Sequence, residues 1–137
     1  MRLAAALALT AMLAAASCGG GSDNVMGSSP TAPTMVTVQA QVLTPRCALS
    51  GCHVTGSPPF GLDMSSASAS AANLIGVTSG EKPAMQRVVP GDSANSYMYW
   101  KLSGNPNING DPMPASGPAL SGADLALIAA WIDAGAN

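Results

Sequence analysis

The most regular alternation of apolar and polar positions lies near the end of the chain. Leu125, Ile128, Ala129 and Ile132 share one helical face at i, i+3, i+4 and i+7, and Leu127 and Trp131 add an adjoining stripe. Ser121 is a good N-cap, Asp124 stands where a capping box needs its acid, and Leu120 can staple onto Leu125. Gly135 provides a natural stop. The pattern predicts a helix with an apolar arc broad enough to touch two neighbours. Val36, Ala40 and Leu43 repeat at the same spacing, and Pro45 disfavours αR geometry at Thr44, so a short helix is expected over about 35–43. Two more short helices are expected, around 66–75 ending before Gly76, and around 93–102 with Asp92 as its cap. No run makes a convincing strand, and Gln86 to Val89 comes nearest to one. The expected class is all-α, three to five short helices joined by long loops, with no internal repeat.

A different pattern opens the chain. Arg2 precedes the uncharged apolar run Leu3 to Ala16, which is too short for a membrane span and matches a signal peptide. Residues 1–17 are therefore expected to be removed. The run ends Leu13-Ala14-Ala15-Ala16-Ser17-Cys18, which resembles a bacterial lipobox and would make Cys18 the lipidated first residue. The alternative is cleavage after an Ala-x-Ala pattern near Ala16, which leaves Cys18 as a lone thiol. The odd cysteine count favours lipidation, since Cys47 and Cys52 already form a set. Several acyl chains on one cysteine hold a protein on a membrane where a single chain binds only marginally. Gly19 after Cys18 is similar to the pattern of outer-membrane lipoproteins. The expected location is thus the periplasmic face of the envelope or the cell surface. Residues 18–34, rich in Gly, Ser and Pro, read as a flexible tether. The remaining stretch, 35–137, fits one small domain.

Charge removes some partners from consideration. The whole chain carries a net −2, and without Arg2 four basic residues face seven acidic ones. Such a balance gives no basis for binding nucleic acid or an anionic membrane surface. Aromatic residues are scarce, only Phe60, Tyr97, Tyr99, Trp100 and Trp131. A domain of this size with so few large side chains has a thin core by itself.

The residues that carry chemistry are Cys47-Ala48-Leu49-Ser50-Gly51-Cys52-His53. A histidine directly after the second of two spaced cysteines is the attachment signature of a c-type haem. The thiols can form thioethers with the porphyrin vinyl groups, and the imidazole can bind the iron axially. A buried porphyrin would also supply the missing apolar volume. Four residues separate these cysteines, where two is usual. On a regular helix, thiols three apart lie about 60° from one another around the axis and thiols five apart about 140°. A loop is expected instead, with Gly51 taking φ > 0 to turn the chain back before Cys52. Competing readings are a small disulfide between Cys47 and Cys52 in an exported protein, and a zinc site with Asp63 as a further ligand.

His53 is the only histidine, so a sixth iron ligand would be a thioether, another weak ligand, or nothing. Pro112 and Pro114 fix φ on either side of Met113 and stiffen the loop that would present its sulfur. Met64, Met85 and Met98 are rivals, although methionine is usually a filler of cores.

The chain resembles the class I cytochromes c, in particular the small cytochrome c-like domains of bacterial lipoproteins and planctomycete-type proteins. The resemblance rests on Pro45-Arg46-Cys47 through Cys52-His53, Gly61-Leu62-Asp63-Met64-Ser65, Val89-Pro90-Gly91-Asp92, Lys101-Leu102, Met113-Pro114, and Leu120-Ser121 leading into Trp131-Ile132-Asp133-Ala134-Gly135-Ala136. It implies one covalent haem c bound by Cys47 and Cys52, with His53 and Met113 as its axial ligands. It also implies crossing first and last helices, with Trp131 packed where they meet. The implied role is a membrane-tethered electron carrier serving redox partners in the cell envelope, not a catalyst. The alternatives are a haem c enzyme or gas sensor with an open sixth position, and a cofactor-free lipoprotein stapled by a disulfide.

Overall fold

Thr34, extended at φ −105° and ψ 164°, starts the first helix by accepting the Thr37 amide on its side chain. In the computed structural model, which describes residues 31–54 and 56–137, this helix α1 has three parts. It is α-helical over Met35–Val38, π-helical over Gln39–Leu43, and α-helical again over Thr44–Arg46. The signal peptide, Cys18 and most of the tether lie outside the described residues.

Two expectations for α1 are corrected. Pro45 does not end it at Leu43, because Thr44 keeps αR angles of φ −60° and ψ −51°. The Thr44 amide reaches back to the Gln39 carbonyl, an i to i−5 bond. A proline has no amide to place and crowds the preceding turn, and the wider π turn just ahead of it absorbs both demands. The buried face also differs from the one predicted. Val36 is 67% exposed and Ala40 is exposed, whereas Met35, Val38, Gln39, Val42 and Leu43 are buried. That stripe keeps helical spacing, and it passes through a polar glutamine.

Helix α2, Ala67–Leu74, begins where the Ser66 side chain accepts the Ala69 amide, and it ends before Gly76, which takes φ 69°. The single helix expected over 93–102 is two elements. Asp92 accepts the Asn95 amide over a 3₁₀ turn, Ser93–Asn95, and α3 comes next at Tyr97–Ser103. Ser96 separates them with φ −89° and ψ 119°. Its buried hydroxyl donates to the Asp92 carbonyl at 2.8 Å and accepts the Val89 amide at 2.9 Å, a local competition that interrupts the helix. Gly104 closes α3 in the left-handed region. Helix α4, Gly122–Asp133, opens with the reciprocal capping box of Ser121 and Asp124.

Residues 86–89 do not form a strand. Ile75 with Val88 and Thr78 with Gln86 are isolated bridges, and among the described residues no strand develops. The architecture is all-α. Helix α1 packs on α2 and α4, and α3 packs on α4. Val38, Val42, Leu43, Leu74, Val88, Ile128, Trp131 and Ile132 are fully buried between them. Trp131 is the largest of these, and its Nε1 donates to the Asn137 carbonyl at 3.0 Å. The Met35 amide donates to the same oxygen at 2.7 Å, so the two ends of the domain close on one another.

Candidate functional site

Cys47 comes directly after α1 and is held there by its amide bond to the Leu43 carbonyl at 2.8 Å. The chain then turns through Gly51 at φ 79°, a conformation open to glycine without strain. The His53 amide returns to the Cys47 carbonyl at 3.2 Å, closing the segment on itself. The four-residue gap between the cysteines is thereby folded into a compact loop. Cys47 and Cys52 are both free thiols, the first buried and the second half-buried.

Both thiols and His53 line a cavity of about 250 Å³, many times the space one water needs. Leu62, Met64, Leu74, Met98, Leu102 and Met113 give it a largely apolar wall. Cys47, Cys52, His53 and Met113, expected to act together, thus face one space although they span 67 positions of sequence. Met64 and Met98 face it as well, so three thioethers are within the site, while Met85 stands outside.

The electrostatics of the imidazole are specific. Nδ1 of His53 lies 3.1 Å from the Leu62 carbonyl, which can only accept, so Nδ1 carries the proton and Nε2 keeps its lone pair. Burial holds this imidazole below its ordinary pKa; the Leu62 bond opposes that and the Arg87 charge adds to it. A neutral ring with its Nδ1–H fixed by a carbonyl is the form that binds a metal through Nε2. Burial also pushes the Cys47 thiol up to about 11, with Arg46 acting against it and Cys52 with it. Cys47 is therefore a protonated thiol at neutral pH, unlike an activated nucleophilic cysteine.

The zinc reading fails on geometry. The Asp63 carboxylate accepts the Ser65 amide at 2.8 Å in a local turn, and among the described residues no three His, Cys, Asp or Glu groups gather around one point. Cys47, Cys52 and His53 share a cavity without converging on a single ion.

Three features of the site escaped the sequence. Gln39 donates from Nε2 to the Met64 carbonyl at 2.8 Å and to Thr44 Oγ1 at 3.1 Å, and its Oε1 accepts from Ser70 at 2.6 Å. It ties α1, α2 and the segment behind His53 together. The available signal was its position three and four residues before Val42 and Leu43. Lys101 is buried on the cavity wall and pairs with Glu81 at 2.8 Å. Its signal was a place on α3 between Met98 and Leu102. Arg46 and Arg87 also line the cavity. Arg46 donates to the Pro118 and Ala119 carbonyls, and Arg87 donates to those of Asn73 and Phe60 at 2.8 and 2.7 Å. Among the described residues the only ion pair is Lys101 with Glu81, so neither guanidinium has a carboxylate partner there.

A scan against protein-family models, a search of curated proteins and a search of solved structures found no match to this chain.

Proposed function

We propose that the domain is a mono-haem c-type cytochrome of cytochrome c-like fold, carrying single electrons in the cell envelope and tethered to a membrane by lipid on Cys18. One observation carries this reading: Cys47, Cys52, His53 and Met113 line a single apolar cavity. A bound haem would supply one-electron Fe(III)/Fe(II) chemistry.

The residues divide the work by type. Cys47 and Cys52 hold the group through thioether bonds, and His53 offers Nε2 because Leu62 occupies Nδ1. Met113 offers a soft sulfur, which favours low-spin iron and a higher potential than a second imidazole. Leu62, Leu74 and Leu102 keep water from the ring. Arg46 and Arg87, cations held by carbonyls on the cavity wall, suit a ligand whose apolar body carries carboxylates at its edge. With the sole imidazole engaged as ligand, no second histidine is available as a distal acid or base, which favours a carrier over an enzyme.

The test is a pyridine haemochrome spectrum of the full chain produced together with the cytochrome c maturation proteins. The expected product is coloured, shows the band position of thioether-linked haem, and keeps its haem through acid acetone. A colourless chain, or haem extracted by acid acetone, overturns the proposal.

A further inference from the structure

Residues 104–119 run from the end of α3 to Leu120 without a helix and almost wholly exposed; only Asn105, Ile108, Met113 and Pro114 are partly covered. Apolar burial cannot fix so bare a segment. Yet it must present Met113 to the cavity.

We infer that Glu81, Tyr97 and Lys101 form a grip that positions the Met113 loop, with Asn109 and Gly110 as the parts of the loop it holds. Lys101 Nζ donates to the Asn109 carbonyl at 2.9 Å while paired with Glu81 at 2.8 Å. The Tyr97 hydroxyl donates to Glu81 Oε2 at 2.8 Å and accepts the Asn109 amide at 3.0 Å. Asn109 Nδ2 closes the circuit on the Glu81 carbonyl at 2.7 Å. Four residues on, the Met113 amide donates to the Lys101 carbonyl at 2.9 Å. One lysine thus holds the loop by its ammonium at Asn109 and by its backbone at Met113.

Gly110 shows how close the approach is. It has φ +61°, which favours glycine, and a Cβ there would stand 2.9 Å from Glu81 Oε1, so a side chain would push aside the carboxylate that Lys101 and Tyr97 hold. Lys101 is buried and its partners satisfy it, which makes the pair costly to break and therefore specific in the geometry it enforces. These are positioning residues, and their link to iron ligation rests on the reading of Met113 given above.

The experiment measures amide hydrogen exchange in the full chain, comparing Met113 with Ile128 inside α4 as a gauge of global opening. Glu81→Gln, Tyr97→Phe and Gly110→Ala are compared with wild type. Each should lower the protection of the Met113 amide by about tenfold relative to Ile128, the scale of one lost local hydrogen bond. In the haem-loaded chain the same variants should gain a high-spin fraction. Unchanged relative protection in all three, or no protection in wild type, overturns the grip. A loaded wild type whose variants keep full low-spin iron overturns its role in ligation and leaves the haem reading intact. A chain that never loads haem, yet loses Met113 protection in the variants, overturns the haem reading and leaves the grip standing.

Discussion

Three side chains decide what the cavity can do, and each is tuned by its surroundings. His53 is set by Leu62, whose carbonyl fixes the ring proton on Nδ1. Met113 faces the cavity with Met64 and Met98, so replacing it separates the proposed ligand from core fillers. In the loaded chain, Met113→Ala should turn a low-spin, carbon-monoxide-inert spectrum into a high-spin, reactive one. An unaltered low-spin spectrum would reject Met113 as the ligand and leave Met64 and Met98 as the thioethers on the cavity wall. Cys47 is set by burial, which disfavours its thiolate in the folded chain. Its folded pKa of about 11 lies above the ordinary 9.0, so the folded state holds its proton longer than the unfolded state does. The resulting stability is complete below about pH 9 and is lost as pH rises towards 11. Chemical denaturation of the haem-free chain across that window should show the decline. It should vanish in the loaded chain, where the thiol would be consumed. The sequence singled out Cys47, Cys52 and His53 by type and spacing, and Met113 by its flanking prolines and the resemblance to class I cytochromes c. It could not reveal Leu62 as the partner of His53, because that bond depends on a turn closing nine residues later.

Among the elements, α3 contributes the most side chains to the cavity wall, and α1, which delivers the chain to Cys47, was the least legible. Its buried stripe runs Met35, Val38, Gln39, Val42 and Leu43, and a polar residue in the middle of an apolar series hides the periodicity. Gln39 is tolerated there because every hydrogen-bonding group of its amide that reaches the interior has a partner. Gln39→Ala would strand the Met64 carbonyl and the Ser70 hydroxyl, a loss of about 1–3 kcal/mol for a buried unpaired polar group. Urea unfolding should report a lower midpoint at unchanged slope. No change in midpoint would show that water replaces the amide. Two other helix starts were readable because their signals are local: Asp92 and Ser121 each accept an amide three residues on, as expected of caps, and Ser66 does the same at the start of α2. Ser96 escaped notice since its break of the 93–102 segment comes from bonds to both Asp92 and Val89.

For the molecule as a whole, closure of the domain falls on Trp131. It is fully buried, it binds the Asn137 carbonyl, and that oxygen also receives the Met35 amide. Trp131→Ala should cost about 3–5 kcal/mol, a large part of the margin of a small domain. Thermal unfolding of the haem-free chain is the direct measure, and a shift of only a degree or two would place the critical contacts elsewhere. The chain by itself determined the all-α class, the end of α2 before Gly76, the capping box of α4, the turn at Gly51 and the residue types of the site. Those depend on neighbours within a few positions, where side-chain spacing and backbone torsion act directly. Tertiary structure alone decided which face of α1 is buried, how its π turn passes Pro45, and that Glu81 meets Lys101. Each of these depends on what packs opposite, and a buried charge or amide is stable only where distant parts of the chain arrive to satisfy it.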